Sequence, residues 1–391
     1  MPDNIALYVL LVIALGIGYL LGRRERRIRP REIGMITEDY FKGLNHLLNE
    51  RHDLAIDTFV ESMAVDNDTV DTHLALGSLV RRRGEVDKAI RIHQNLLARP
   101  VLSAAHRTQT ELELARDYLM AGLLGRAENL LKELAGKNGS ERRLAEELLL
   151  EIYQREKDWE KAVEIGQELA RANKSIRRQL AHFQCELAET ALAAGNLRSA
   201  RAALAKATGF DSRCARTSLI GAKIAFAEKR YREVQRQLAR ARELDPELAQ
   251  ETLALYQTAA DELNDPDGLV RYLETCLESA PVLPVVERLA EHIEQREGVE
   301  VANEFVVEQL LRNPSLAGFV TLLNRLDRSD QPLPPEQLTL VRRFSQSLLQ
   351  RQPAYRCRNC GFSGRTLMWQ CPSCRTWGSI KPILHNATEE A

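Results

Sequence analysis

The sequence predicts an all-α protein: a solenoid of helical repeats with one N-terminal transmembrane helix and a small C-terminal metal-binding module. Three observations lead to this prediction. Residues 5–21 are an apolar run, apolar helical periodicity recurs about every 34 residues between 37 and 350, and two C-x2-C pairs follow near the C-terminus. The predicted organisation is a membrane anchor over 1–22, a basic juxtamembrane linker over 23–36, the repeat array over 37–350, the metal module over 354–384 and a tail over 385–391.

The apolar run at the N-terminus is 17 residues long. As a helix it would span about 25 Å at about 1.5 Å per residue, which is at the short end of what crosses a bilayer. Six arginines follow between Arg23 and Arg31, whereas Asp3 precedes the run. A cleaved signal peptide would carry its positive charge before the run, so a membrane anchor is predicted instead. Because the positive charge follows the run, the positive-inside rule predicts a single-pass inner-membrane protein whose N-terminus is periplasmic and whose remaining residues are cytoplasmic.

Small residues recur every four positions on one face of this predicted helix, at Ala14, Gly18 and Gly22. Such spacing lets two transmembrane helices approach closely. The alternative is that glycine and alanine are simply common in short membrane helices. The interpretation therefore stays a hypothesis of a partner helix, either in a homodimer or in another membrane protein.

The middle of the chain predicts tetratricopeptide-like helix-turn-helix units. The predicted small residues that open each second helix are spaced 34, 38, 35, 38 and 34 residues apart: Ala55, Ala89, Ala127, Ala162, Ala200 and Val234. Gly84, Gly122 and Gly195 are predicted to end first helices. We expect about eight units, with looser patterning around 255–281 and 289–314. Because such arrays expose a long face that binds proteins, the array predicts recognition.

Composition and motifs exclude several other functions. A formal net charge of −1 argues against a nucleic-acid partner. The sequence has no P-loop, dinucleotide fingerprint, zinc-protease motif or nucleophile elbow, so a non-enzymatic protein is predicted. Cys185, Cys214 and Cys276 lie in apolar helical patterns and are predicted to be buried structural thiols. The histidines within helical patterns are predicted to be packing or surface residues.

The strongest motif is C-x2-C-x10-C-x2-C, formed by Cys357, Cys360, Cys371 and Cys374. Two such pairs can close on one tetrahedral metal, and four cysteine ligands indicate a structural site. Zinc and iron in a rubredoxin-like site both fit the ligands, and a pair of disulfides is the alternative. Gly361 is predicted to turn with positive φ, so that backbone N–H groups point at the thiolates.

Aromatic residues are dense around these cysteines. Tyr355, Phe362, Trp369 and Trp377 lie within a chain that is only 5% aromatic. Because a module of this size has little else to bury, we expect these four side chains to cover the metal and to form the core of the module.

The three parts in this order resemble the lipopolysaccharide assembly protein B family of Gram-negative bacteria. The two segments most specific for this family are Tyr355-Arg-Cys-Arg-Asn-Cys-Gly-Phe362 and Trp369-Gln-Cys-Pro-Ser-Cys-Arg-Thr-Trp-Gly-Ser-Ile-Lys-Pro-Ile383. The early repeats, including 76–94 and 117–123, are similar to that family as well. The resemblance implies iron on the four cysteines, although the spacing between the pairs is shorter than in rubredoxins and Arg375 stands where a glycine is usual.

The resemblance further implies an inner-membrane regulator of lipopolysaccharide synthesis. Members of the family are understood to present the deacetylase that commits lipid A synthesis to the membrane protease FtsH, and the inner-membrane protein PbgA is thought to restrain this action. The leading hypothesis is thus a non-enzymatic adaptor for proteolysis. The alternatives are a scaffold that assembles lipopolysaccharide synthesis and transport proteins, and an electron-transfer protein with an iron centre.

Overall fold

The computed structural model describes residues 69–326, apart from 101, 138 and 314, and residues 352–383, with isolated residues at 42, 45, 46, 58 and 346. The predicted transmembrane helix over 5–21 and its small-residue face lie outside these residues, as does Ala55. Within the described ranges, no helix is both long and apolar enough to cross a membrane.

The chain divides into two compact units, Met1–Ala145 and Glu146–Ala391. In the first unit the described helices form two pairs: α1 Val70–Arg82 with α2 Val86–Leu97, and α3 Ala104–Met120 with α4 Leu124–Ala135. The next helix, α5 Ser140–Glu156, begins in the first unit and continues into the second.

The helices of the second unit continue the same alternation of first and second helices. After α5 they are α6 Trp159–Ala172, α7 Ile176–Ala193, α8 Leu197–Phe210, α9 Ala215–Ala227, α10 Tyr231–Leu244, a short 3-10 helix Pro246–Leu248, α11 Ala249–Leu263, α12 Pro266–Ser279, α13 Leu283–Glu297, α14 Val299–Arg312 and α15 Leu316–Leu326. The helical repeat array predicted from the sequence is therefore confirmed over the described residues.

One residue in the left-handed region of φ ends the first helix of each described pair. The predicted turn glycines Gly84, Gly122 and Gly195 have φ of +87°, +73° and +74°. The other pairs place Lys157, Lys229, Asn264 and Gly298 at this position. A left-handed residue reverses the chain directly after a helix, and glycine does so without the steric cost of a Cβ atom. The turn geometry is thus kept where the glycine is not.

The predicted small residues of the second helices are buried at the crossings between helices. Each is 0% exposed: Ala89, Ala127, Ala162, Ala200 and Val234. The same register continues at Gly268 and Ala302, each 34 residues after the one before, and both are buried. The later repeats therefore keep the period at this position more strictly than the sequence pattern suggested.

Buried polar side chains connect the helices of the first unit. His93 Nδ1 lies 2.5 Å from Asp117 Oδ2, and both side chains are fully buried. Arg81 donates to Asp117 at 2.9 Å and to Glu113 at 2.6 Å. A Cβ on Gly77 would lie 2.4 Å from His93 Nε2, so this glycine makes room for the imidazole. The network joins α1, α2 and α3 through hydrogen bonds and ion pairs, which is how buried polar groups are tolerated.

The C-terminal module is a three-stranded antiparallel sheet with strand order β2-β1-β3. Its strands are short: β1 Tyr355–Cys357, β2 Ser363–Gly364 and β3 Ile380–Pro382. The register pairs Cys357 with Ile380 and Arg356 with Ser363 and Lys381. Such short strands cannot support a fold of this size alone, so the module depends on further contacts.

Gly195→Ala should lower the free energy of unfolding by about 1 kcal/mol, because alanine at positive φ is strained. No neighbouring atom lies within 4 Å of the added Cβ, so the cost comes from the backbone alone. Gly209→Ala is the matched control, since Gly209 lies in α8 at negative φ with equally open space. Thermal unfolding should show a lower midpoint for the first variant and an unchanged or higher midpoint for the second. Equal midpoints would contradict this explanation of the turn.

Candidate metal centre

Two matching backbone turns bring the four cysteines of the motif together. In the first, Gly361 has φ +78° and its N–H donates to the Cys357 carbonyl at 3.0 Å. In the second, Arg375 has φ +56° and its N–H donates to the Cys371 carbonyl at 2.8 Å. The predicted positive φ of Gly361 is confirmed. Arg375 adopts the same left-handed turn, so its departure from the family pattern leaves the backbone geometry intact.

The four sulfur atoms have the spacing that one tetrahedral metal requires. All four Sγ atoms lie within 4.8 Å of one another. The Sγ atoms of Cys357 and Cys374 are 3.7 Å apart, as are those of Cys360 and Cys371. A metal–sulfur bond of about 2.3 Å gives a tetrahedron with edges of about 3.8 Å. The thiols therefore fit one metal ion held between the two turns.

Disulfides, the alternative for this motif, do not form. All seven cysteines of the chain lie in the described residues and are free thiols. Cys185, Cys214 and Cys276 are buried, as predicted for structural thiols.

Hydrogen bonds favour the thiolate forms of Cys357 and Cys374, whereas burial raises the pKa of Cys371 to about 11. The pKa of Cys374 is lowered to about 5, first by the side chain of Asn359 and then by Thr376. Burial raises the pKa of Cys357, but hydrogen bonds from Ser379 and from backbone N–H groups outweigh it, so the net shift is downward. Ser379 Oγ lies 3.2 Å from the Cys357 sulfur. Because metals bind thiolates, these donors prepare the site for a cation.

The backbone N–H groups that donate to the Cys357 sulfur belong to residues of the turn itself. They are the N–H groups of Cys360 and Asn359, whereas the N–H of Gly361 bonds to a carbonyl oxygen. The prediction that the turn directs N–H groups at a thiolate is thus confirmed. The glycine permits the turn, and its neighbours supply the donors.

A closed ligand set defines what a metal can do in this module. Four protein thiolates fill a tetrahedral site and leave no position for substrate, so the ion would join β1 to the second turn as a structural cross-link. Cys357 and Cys371 are 2% and 0% exposed, whereas Cys360 is exposed. Zinc and iron are both compatible with these four ligands.

Trp377 attaches the module to the repeat array. Its ring stacks on His182 of α7 with centroids 5.2 Å apart and makes edge contacts with Phe183 and Trp159 at 5.6 and 5.9 Å. Its Nε1–H donates to Gln154 Oε1 at 3.1 Å. Offset and edge-to-face packing of this kind stabilises beyond the buried area alone, and the hydrogen bond satisfies the buried N–H.

Trp369 makes a second contact with the array. The guanidinium of Arg216 in α9 lies 5.2 Å from the centre of its ring. Together with Leu367, Trp369 also packs against the apolar core of the array that extends from Ala215 to Leu289. A cation over an indole face is the most favourable arrangement of this type.

The predicted aromatic core of the module is therefore only half right. Tyr355 lies in the core with Cys357, Cys371 and Ile380, and Phe362 packs against it. The two tryptophans instead face the array. Their large apolar surface is better buried by helices than by a sheet of two- and three-residue strands.

Polar contacts surround the aromatic ones. Arg375 pairs with Glu151 at 2.5 Å, Gln370 bonds to Gln154 at 3.2 Å and Gln250 bonds to the Tyr355 hydroxyl at 3.2 Å. Three further pairs are Arg358 with Glu247, Lys381 with Asp245, and the Tyr355 hydroxyl with Glu251. The array residues belong mainly to the first helices of pairs, α5, α7, α9 and α11, so the module lies on the face that these helices form.

The sequence pattern does not indicate this docking surface. Its array residues are separated from their module partners by 104 to 224 positions. Their types, Glu, Gln, His and Arg, are those of any solvated helix face. The one available signal was the tryptophans, since all three in the chain meet at this surface.

His182 stays neutral under the module. Burial lowers its pKa to about 3, and the positive charges of Arg216, Arg178 and Lys381 act in the same direction. A neutral imidazole can stack on Trp377 without the cost of burying a charge. As predicted for the helical histidines, His182 is a packing residue, 3% exposed.

Comparisons with known proteins agree with this architecture. Residues 355–382 match a family model described as a rubredoxin metal binding domain, and residues 72–106 match the tetratricopeptide repeat. The chain is similar to lipopolysaccharide assembly protein B of Escherichia coli K12, with 36% identity over 380 residues, which cover 96% of this chain and 97% of that protein. It is similar to lipopolysaccharide assembly protein B of Haemophilus influenzae at 32% identity over 389 residues, 96% and 98% of the two chains. The resemblance inferred from the sequence is confirmed.

Cys371→Ser should remove the bound metal and unfold residues 355–383, because a serine hydroxyl is a poor ligand in place of a buried thiolate. Elemental analysis of the purified protein should find about one zinc or iron per chain and almost none in the variant. Limited proteolysis should then cleave within the module. Cys276→Ser is the control, since this thiol is buried in the array and its loss should leave the metal content unchanged. Full metal content in Cys371→Ser would contradict the assignment.

Acidification should lower the free energy of unfolding through protonation of His182. Its folded pKa of about 3 lies below the unfolded value of about 6.5, so the unfolded chain binds more protons between these values. The contribution of neutral His182 to the free energy of unfolding is complete above pH 6.5. It is lost, by up to about 1.4 kcal/mol per pH unit, as the pH falls toward 3. His182→Phe keeps a stacking ring and cannot titrate. The stability of the wild type relative to this variant should fall on acidification, and parallel pH curves would disprove the assignment.

Proposed function

The chain belongs to the lipopolysaccharide assembly protein B family, and we propose that it acts in lipopolysaccharide assembly as a membrane-tethered adaptor rather than as an enzyme. The single observation that carries this proposal is the docked module. The four thiolates form a closed site, and the module lies against the array through Trp369 and Trp377. A closed structural metal on a repeat array indicates a rigid binding surface.

The proposed action is delivery of a client to a protease. The adaptor would hold the deacetylase that commits lipid A synthesis and present it to the membrane protease FtsH. Residues 5–21 would anchor the chain in the inner membrane with the array in the cytoplasm. Tethering adaptor and protease to one membrane raises their effective concentration, so modest affinity for the client suffices.

The membrane segment would also receive the regulatory input. We propose that PbgA restrains the adaptor and that the face formed by Ala14, Gly18 and Gly22 packs against a partner helix. Replacing Gly18 and Gly22 with leucine would separate the helices without changing the cytoplasmic part. Unaltered activity and co-purification in that variant would end this part of the proposal.

The docked module limits where a client can bind. In the second unit it covers the face of the first helices between Glu151 and Glu251. A client that contacts this unit while the module is docked would therefore use the module itself or the remaining helix surfaces. The module would accordingly influence recognition by shaping the available surface.

Depletion of the protein should lengthen the half-life of the deacetylase several-fold, because the client would no longer reach the protease. Pulse-chase measurement of the deacetylase in depleted cells tests this. Complementation with the full chain should restore rapid turnover, whereas a variant lacking residues 1–22 should restore it poorly, since it loses the membrane tether.

Two comparisons make this experiment decisive. A proteolytically inactive FtsH should abolish the difference between depleted and complemented cells. An unchanged half-life on depletion, together with loss of co-purification among lipopolysaccharide synthesis and transport proteins, would reject the adaptor and support the scaffold.

A further inference from the structure

A cleft of about 730 Å³ lies where the metal module meets the second unit of the array. The array side includes residues from the start of α9 and from α7, and the module side includes Arg358, Trp369 and Lys381. This volume is in the range of small-molecule sites, about 300–1,000 Å³. The cleft does not touch the four cysteines and exists only because the module is docked.

Arg216 is a buried cation on the wall of this cleft with unused donors. Its side chain is 2% exposed, and its Nη2 pairs with Glu186 and Glu189. Its Nε and Nη1 have no hydrogen-bond partner among the described residues. Buried guanidinium N–H groups are costly to leave unpaired, so they indicate a missing acceptor.

The N-terminus of α9 opens into the same cleft. Its N-cap is Cys214, whose thiol lies against the backbone N–H groups of Arg216 and Thr217, and both Cys214 and Ala215 line the cleft. Over a helix of 13 residues the aligned peptide dipoles give this end a partial positive charge. A helix start beside a buried arginine is a favourable place for an anion.

Two exposed arginines add positive charge to the cleft and form no ion pair with another described residue. The guanidinium groups of Arg178 and Arg213 line the cleft, and neither forms an ion pair or hydrogen bond within the described part of the chain. The acidic lining residues are otherwise engaged, because Glu247 pairs with Arg358 and Asp245 pairs with Lys381.

The remaining acidic lining residue, Asp211, keeps its negative charge because its recorded partner is a neutral backbone N–H. Asp211 accepts the backbone N–H of Arg213 at 2.9 Å. The low pKa of His182, about 3, agrees with a positive local field in addition to its burial. Arg178 and Arg213 thus bring more unpaired charge to the cleft than Asp211 does.

We propose that this cleft binds a small soluble phosphate monoester, held by Arg178, Arg213, Arg216 and the N-terminus of α9. A phosphate dianion offers several acceptor oxygens, which suits a group of guanidinium side chains at a helix N-terminus better than a single carboxylate does. The space beyond the phosphate accommodates an organic group of up to nucleotide size against the ring of Trp369.

The bound ester would bridge the array and the module. Its phosphate would contact residues of α7 and α9, whereas Trp369 and Lys381 of the module form the opposite wall. Because such a ligand binds only the docked arrangement, it would stabilise docking by mass action. The site would thus couple a metabolite concentration to the surface that the module shapes, and this goes beyond the proposed adaptor role.

Intrinsic fluorescence of the full-length protein provides the test, because all three tryptophans of the chain lie at the module–array contact. Ribose 5-phosphate, which is transparent at the excitation wavelength, should cause a saturable change and raise the midpoint of thermal unfolding. Ribose and sodium chloride at matched ionic strength should cause neither. Inorganic phosphate should compete with the ester.

The double variant Arg178→Gln with Arg213→Gln should weaken ribose 5-phosphate binding by about tenfold or more, since each substitution removes charge-assisted hydrogen bonds. Both side chains are exposed, so the fold should be preserved. Arg198→Gln is the matched control: Arg198 is exposed on α8 and does not line the cleft.

Three results would overturn the proposal. One is the absence of a saturable response to ribose 5-phosphate or inorganic phosphate. Another is equal affinity in the wild type and the double variant, which would locate binding elsewhere. The third is a response to phosphatidic acid vesicles without a response to ribose 5-phosphate, which would indicate a lipid headgroup instead of a soluble ester. Each readout is independent of client degradation, so failure here leaves the adaptor proposal standing.

Discussion

Packing of Trp377 between the module and helix α7 is the contact on which the C-terminal architecture depends. A sheet of two- and three-residue strands buries too little apolar surface to be stable alone. The four thiolates supply one constraint by joining the two turns through a metal, and the array supplies the other. The indole reaches His182, Phe183 and Trp159 and uses its N–H on Gln154, so both its apolar face and its polar edge are satisfied.

This contact also changes the role of the array. A solenoid of helix pairs ordinarily offers the face of its first helices to partners. Here the chain covers part of that face itself, with Arg375, Tyr355 and Lys381 reaching acidic residues of the array. The exposed pairs contribute little stability individually, but they fix the orientation of the module around the buried aromatic centre. The result is a composite surface that the metal module and the repeats form together.

Docking creates a feature that neither part has alone. The arginines of α7 and α9 would be ordinary surface charges on an isolated array, and Trp369 would be an exposed ring on an isolated module. Brought together, they enclose a cleft in which Nε and Nη1 of the buried Arg216 guanidinium lack acceptors among the described residues. A metal remote from any reaction can therefore still determine a binding site, by holding its second wall in place.

Features that depend on local spacing could be predicted from the sequence. Periodicity located the buried Ala162 and Ala200 at helix crossings, and C-x2-C spacing located the four ligands, because both properties reside within a few turns of chain. Composition also indicated the aromatic module, but the prediction that Trp369 and Trp377 lie in its core was wrong. The outward orientation of Trp369 and Trp377 toward the array, and the contact between residues as distant as Glu151 and Arg375, are visible only in the three-dimensional fold. Such contacts depend on how helices stack over hundreds of residues. A polar helix face also has the same residue types whether it contacts water or another part of its own chain.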